Sequence, residues 1–171
     1  ENLEIDAGLT YLGNEPVGHV STIPLYRERY RLITSADAPL GNRATVTWAE
    51  VAQVPLCLLT PDMQNRRILN AQFTETGGGP RASVETNSVL TLWAHVRSGA
   101  WSTVLPHPFL FLFGEPEGMR AIPLEAAEHD YTIGLVVPDR DPLTPSAREL
   151  MRITEGLDVA GVMDASLPRP D

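Results

Sequence analysis

The chain has a single cysteine, Cys57, which excludes an internal disulfide. Cys57 lies inside a short apolar run and reads as a buried structural thiol. Histidines are few, at positions 19, 95, 107 and 129, and none has the HxxxH or CxxC spacing of a metal site. Basic residues are outnumbered, 13 against 22 acidic, for a net charge of −9. That balance argues against these residues gripping a nucleic-acid backbone, which needs clustered Lys and Arg. Long apolar runs are missing too. Pro55–Leu59 and Pro108–Phe113 fall far short of the roughly 20 residues that cross a bilayer. No basic leader followed by an apolar stretch opens the chain, so nothing in it suggests export. Nor is there a GxSxG elbow or a phosphate loop of the Walker type, since Gly77–Gly79 ends a helical pattern instead of starting one. Without a catalytic constellation, metal or cofactor, the chain reads as a binding protein and not an enzyme.

What is present is an ordinary globular composition, 43% hydrophobic and 20% charged over 171 residues, enough for one domain or two small lobes. The most legible stretch runs from Pro55 to Phe73. Pro55–Leu59 predicts a buried strand. Thr60-Pro61 is cap-plus-proline chemistry, predicting a helix whose face is Ile68, Leu69, Gln72 and Phe73. Gly77-Gly78-Gly79-Pro80 stops it. Thr47-Trp48-Ala49-Glu50 matches a capping box and predicts a short helix ending near Gln53. Arg81–Glu85 predicts a strand. Ser88 then caps a helix with Val89, Leu92, Trp93 and Val96 on one face, closed by Gly99. Trp101–Leu105, Ala121–Leu124 and Tyr131–Val137 predict further strands, and Phe109–Glu117 a short helix. Thr144-Pro145 repeats the cap signal for a helix to about Glu155, with Leu150, Met151 and Ile153 available for packing. Ile23–Ile33 reads as one extended segment, with Arg27, Arg29 and Arg31 along a solvated face. The central alternation of strands and helices predicts a parallel sheet with right-handed crossovers.

In open α/β sheets ligands collect at the carboxyl ends of the strands. The candidate turns are Leu12 to Asn14, Thr60 to Asn65, Thr86 to Ser88, and Pro106-His107. Simple capping accounts for Thr60 and Ser88 without any ligand. Asp62 would repel an anion at the helix start, whereas His107 would offer a donor or positive group, or is a surface-loop histidine.

The order of segments resembles the effector-binding domain of LysR-type transcriptional regulators. The carriers are Glu4-Ile5-Asp6-Ala7-Gly8-Leu9, Pro24–Ile33, Ala38-Pro39-Leu40, Thr47–Val51, Glu85–Ser88 with Val96–Gly99 and Val104–Pro106, Thr132–Val136, and Leu143–Ala147. The resemblance implies an α/β, two-lobed fold like that of type II periplasmic binding proteins. Residues 1–22 with 126–157 would form lobe I, 23–125 lobe II, and 158–171 a disordered tail. It places Glu1 where the family's second strand begins, so the first strand and helix of lobe I would be missing and the fragment self-associated or weakened. It also implies a small-molecule effector, an organic acid, bound in the interlobe cleft by Asn14, Thr60, Pro61, Asp62, Met63, Gln64, Asn65, Ser88, Pro106 and His107. Neutral donors at Thr60, Gln64 and Asn65 would do the recognition. Homo-oligomerisation, promoter DNA binding only through a helix-turn-helix outside this chain, no membrane partner and a cytoplasmic location complete the expectation. The alternative is a solute-binding protein of a transport system.

Overall fold

The computed structural model describes residues 5–13, 18–77, 79–80, 82–125 and 131–165. The chain divides into two compact units, residues 1–28 with 129–171 and residues 29–128. The chain leaves the first unit at Glu28 and not at residue 22, because its second strand stays paired with its neighbour that far, across a register shift between Pro24 and Tyr26.

The first unit holds a three-stranded antiparallel sheet of β1 (Gly8–Leu12), β8 (Tyr131–Pro138) and β2 (Val20–Glu28), with β8 in the centre. Gly134 of β8 lies opposite Thr10 and Pro24. A Cβ there would come within 2.5 Å of Leu12 Cδ1 and 2.8 Å of the Ile23 carbonyl oxygen, so only glycine fits. Helix α5 (Pro145–Glu155) starts as expected, with the Thr144 hydroxyl accepting from the Ala147 N–H. Its core is small: Leu135, Val137 and Ala147, with Ile23, Leu143 and Met151 packed on it. Met151 packs as expected, but Leu150 and Ile153 are exposed. Of the tail expected to be disordered over 158–171, α6 (Val159–Asp164) is a helix capped by Asp158, whose carboxylate accepts from the Gly161 N–H at 2.9 Å, and residues 166–171 lie outside the described residues.

The second unit is built on β3 (Tyr30–Ser35), which pairs antiparallel with β6 (Thr103–Pro106) and β7 (Met119–Pro123). β4 (Leu56–Leu59) pairs parallel with β5 (Ala82–Thr86). A parallel bridge between Leu56 and Ser102, with Cys57 N–H donating to Ser102 O at 2.9 Å, joins the two sets. The order is therefore β5-β4-β6-β3-β7. Four strands follow the expected parallel alternation, and β3 is the correction. Arriving from the first unit, it inserts in the opposite direction between β6 and β7. The single extended segment expected over Ile23–Ile33 is thus two strands, one in each unit, broken at Arg29. A central strand is covered on both faces, so Arg31 is only 9% exposed and not on a solvated face.

The connecting helices are α1 (Trp48–Val51), α2 (Gln64–Glu75), α3 (Val89–Arg97) and α4 (Pro108–Phe113). The capping box forms: Thr47 Oγ1 accepts the Glu50 N–H at 3.1 Å, and Glu50 Oε2 accepts the Thr47 N–H at 2.8 Å. The apolar helical faces bury as their spacing dictates, with Phe73 and Leu69 fully enclosed and Trp48 edge-on to Phe73 at 5.2 Å. Gly77 stops α2 at a positive φ of 91°. Cys57 is buried in the cluster of Ile33, Leu59, Trp93, Val96 and Leu105, and burial pushes its thiol up. Among the described residues no helix is long and apolar enough to cross a membrane.

Candidate functional site

Because β4, β5 and β6 run in one direction, Leu59-Thr60, Thr86–Ser88 and Pro106-His107 all lie at the same edge of the second unit's sheet. The first two turns are tied directly, the Thr60 N–H donating to the Thr86 carbonyl at 3.0 Å. Of the expected residues Asn14 lies outside the described residues.

The largest correction concerns Thr60 and Pro61. The helix does not begin there. Residues 60–63 form a turn closed by Met63 N–H to Thr60 O at 3.0 Å, and α2 starts at Gln64, with Met63 at a cap position that makes no side-chain bond. The Met63 side chain packs on the core cluster, so it is not a free contact residue. Pro61 and Asp62 are exposed in the turn, and Asp62 lies before the helix, outside its first turn. Gln64 contacts Arg67 through its amide oxygen, and Arg67 also donates to the Asp62 carbonyl at 3.0 Å.

Freed from capping, the Thr60 hydroxyl is buried with no hydrogen-bond partner among the described residues. Both polar atoms of the Asn65 side chain share that condition. Three buried, unpaired polar atoms within six residues are unusual, since each costs about 1–3 kcal/mol when water and protein both fail to satisfy it. Ser88 behaves differently. Its hydroxyl accepts the Thr91 N–H at 3.3 Å and caps α3, while Thr86 Oγ1 accepts the Ser88 N–H at 3.1 Å.

Two cations, Arg66 and Arg31, are buried here, the first unnoticed in the sequence and the second expected on a solvated face. Arg66 is 6% exposed and donates to the Leu59 carbonyl at 2.8 Å, to Glu85 at 2.7 Å and to Asn70 Oδ1 at 2.9 Å. The signal was available: Arg66 precedes Leu69 and Phe73 by three and seven positions, on the buried stripe of α2. Its charge is matched by Glu85. Arg31 donates to the Ala121 carbonyl at 3.4 Å, and burial, with Arg29 nearby, pulls its guanidinium below its ordinary value while Glu115 partly offsets this.

His107 is not a surface-loop residue: its exposure is 0%. Its Nδ1 accepts the Arg29 N–H at 3.1 Å, and its own N–H donates to the Arg29 carbonyl at 2.8 Å. Pro106 is buried opposite Tyr30.

The family described as LysR substrate binding domain matches residues 1–157. A probable nitrogen assimilation transcriptional activator of Synechococcus elongatus is 23% identical over 140 residues, which are 82% of this chain and 45% of that protein. The chain thus spans less than half of that relative. The regulatory domain of Synechocystis PCC6803 CcmR in complex with 2-PG superposes with a TM-score of 0.77 at 13% identity, over 99% of this chain and 77% of that one. The effector binding domain of QuiR in complex with shikimate gives 0.72 at 15%, over 90% and 71%. The reduced OxyR regulatory domain from Pseudomonas aeruginosa gives 0.70 at 24%, over 88% and 72%. At these identities the superpositions establish the fold, a two-lobed mixed α/β architecture. With a family match running from residue 1 to residue 157, the chain belongs to the LysR substrate binding domain family.

Proposed function

We propose that this chain is the ligand-sensing part of a LysR-type transcriptional regulator, taking a small organic acid at the carboxyl edge of β4, β5 and β6. The observation that carries this is that the Thr60 hydroxyl and the Asn65 amide, five positions apart in the segment that follows β4, are both buried and unpaired among the described residues. Ligand groups, like ordered water, complete buried polar atoms of this kind. Their chemistry narrows the ligand. One hydroxyl and one amide donate and accept together, and the buried cation that follows Asn65 in the chain, Arg66, is already matched by Glu85. The group recognised here is therefore neutral, a hydroxyl or carboxamide of the effector, and its carboxylate is held by other residues. Ser88, Pro106 and His107 frame the same edge. The small ligands named for QuiR and CcmR, shikimate and 2-PG, support a ligand of this size.

In the longer protein, effector binding controls promoter DNA binding by a separate helix-turn-helix, and the sensing domain self-associates in the cytoplasm. It senses and does not catalyse. Calorimetric titration of the intact domain against hydroxy acids and their carboxamides tests the site. Thr60→Val and Asn65→Leu are expected to weaken the best compound about tenfold each, and Ser88→Ala to leave it unchanged. An unchanged affinity in Thr60→Val would remove Thr60 from the site.

A further inference from the structure

The ladder between β3 and β6 ends with Tyr30 opposite Pro106. The next pair in register is Arg29 with His107, and there the pattern changes. His107 N–H donates to Arg29 O at 2.8 Å, as a strand residue would. Its carbonyl, however, has already turned into α4 and accepts the Leu110 N–H at 2.9 Å. The Arg29 N–H is left needing an acceptor, and His107 Nδ1 supplies it at 3.1 Å. An imidazole nitrogen replaces the missing strand carbonyl, so one residue satisfies both backbone groups of Arg29.

The position of the pair gives this exchange its meaning. Arg29 is the first residue of the second unit, where the chain has just crossed from β2. His107 directly follows β6 at the candidate ligand edge, and it is fully buried. We propose that His107 is a positioning residue that clamps the ligand edge of β6 to the chain crossover at Arg29, so that displacement of one is carried to the other. Placing the ligand at that edge rests on the function proposed above; the clamp itself does not. Because Nδ1 accepts, the neutral ring carries its proton on Nε2. A shift of the β6 end is passed to Arg29 through two hydrogen bonds, one donated by the His107 backbone N–H and one accepted by its ring Nδ1.

Side-chain amides separate this role from simple packing. In His107→Asn the Oδ1 atom falls near the position of Nδ1 and keeps the acceptor. In His107→Gln the amide falls near Nε2 and the acceptor is lost. Hydrogen–deuterium exchange on the ligand-free domain should show the Arg29 amide opening about tenfold faster in the Gln variant, with the Asn variant restored toward wild type. Equal exchange in wild type and Gln, or Asn as fast as Gln, overturns the clamp. So does a uniform rise across β3 and β6 with a lowered melting temperature, which marks an ordinary core residue. Should the Gln variant not fold, nitrogen NMR of the wild type decides: Nδ1 unprotonated and hydrogen-bonded supports the clamp, a proton on Nδ1 overturns it.

A last arm reads the coupling with the same hydroxy acids and carboxamides. A compound that binds should protect the Arg29 amide in wild type and in Asn, and much less in Gln; equal protection in all three overturns the coupling. If no compound binds, the proposed ligand site fails, while the ligand-free measurements still judge the clamp.

Discussion

The dipeptide Thr-Pro occurs twice at the threshold of a helix, as Thr60-Pro61 and as Thr144-Pro145, with opposite results. Thr144 caps α5 through the Ala147 N–H, and Pro145 occupies the first turn. Thr60 caps nothing; three residues of turn separate it from α2, and its hydroxyl is buried and unpaired. What differs is the surroundings. Thr144 follows a loop on the unit with the smaller core, whereas Thr60 directly follows a fully buried strand and is pinned by its N–H to Thr86. Pinned there, the chain needs the turn to reach the axis of α2. The first turn of that helix is secured from its flank by Arg66, which reaches back to the Leu59 carbonyl. The same local chemistry spends its hydroxyl on folding at one site and leaves it available for a ligand at the other.

The largest test of this contrast removes the flank support. Arg66→Met is expected to destabilise the domain by about 2–3 kcal/mol in urea unfolding, since it frees the Leu59 carbonyl and breaks a pair whose Glu85 partner remains partly solvated. A change below half of that would mean that α2 needs no flank support. Thr144→Ala should cost about 1 kcal/mol, the usual worth of a cap. Thr60→Val, by contrast, should leave stability unchanged or raise it by about 0.5 kcal/mol, because it removes a buried hydroxyl that has no partner. Equal losses for these two variants would collapse the comparison. The smallest effect is lost in acid. Hydrogen bonds from the Thr47 backbone and then its hydroxyl, with Arg43 nearby, hold the Glu50 carboxyl below the usual carboxylate range. A depressed folded value means the contribution is complete above that range and lost as the pH falls through the lower value. Thr47→Ala should therefore differ most from wild type in melts near neutral pH, the gap closing as acid protonates Glu50.

Much of this was readable in advance, and the exceptions share a cause. The caps at Thr47, Ser88 and Thr144 and the apolar stripes of α2 and α3 are set by residues three or four apart, so the sequence carries them directly. Thr60-Pro61 carried the same signal, but the pinning N–H bond to Thr86 joins residues far apart in sequence. Arg31 and His107 were misplaced for a similar reason. An alternating arginine looks solvated until its strand is known to be central, and a histidine after a proline looks like a loop until β3 lies beside it. The reversed direction of β3 was likewise invisible locally, since strand residues do not encode the direction of their neighbours.

Cys57 gives this fold a practical handle. It is the chain's single thiol, fully enclosed in β4, three residues before Thr60, and burial raises it further from its reactive form. A thiol reagent reaches it only when that strand opens, so the rate of modification is a clock for opening. Any compound that binds the closed form slows the clock by the factor 1 + [L]/Kd. One mass shift per molecule, followed in time across a library of metabolites, would then find the effector with no prior idea of its identity.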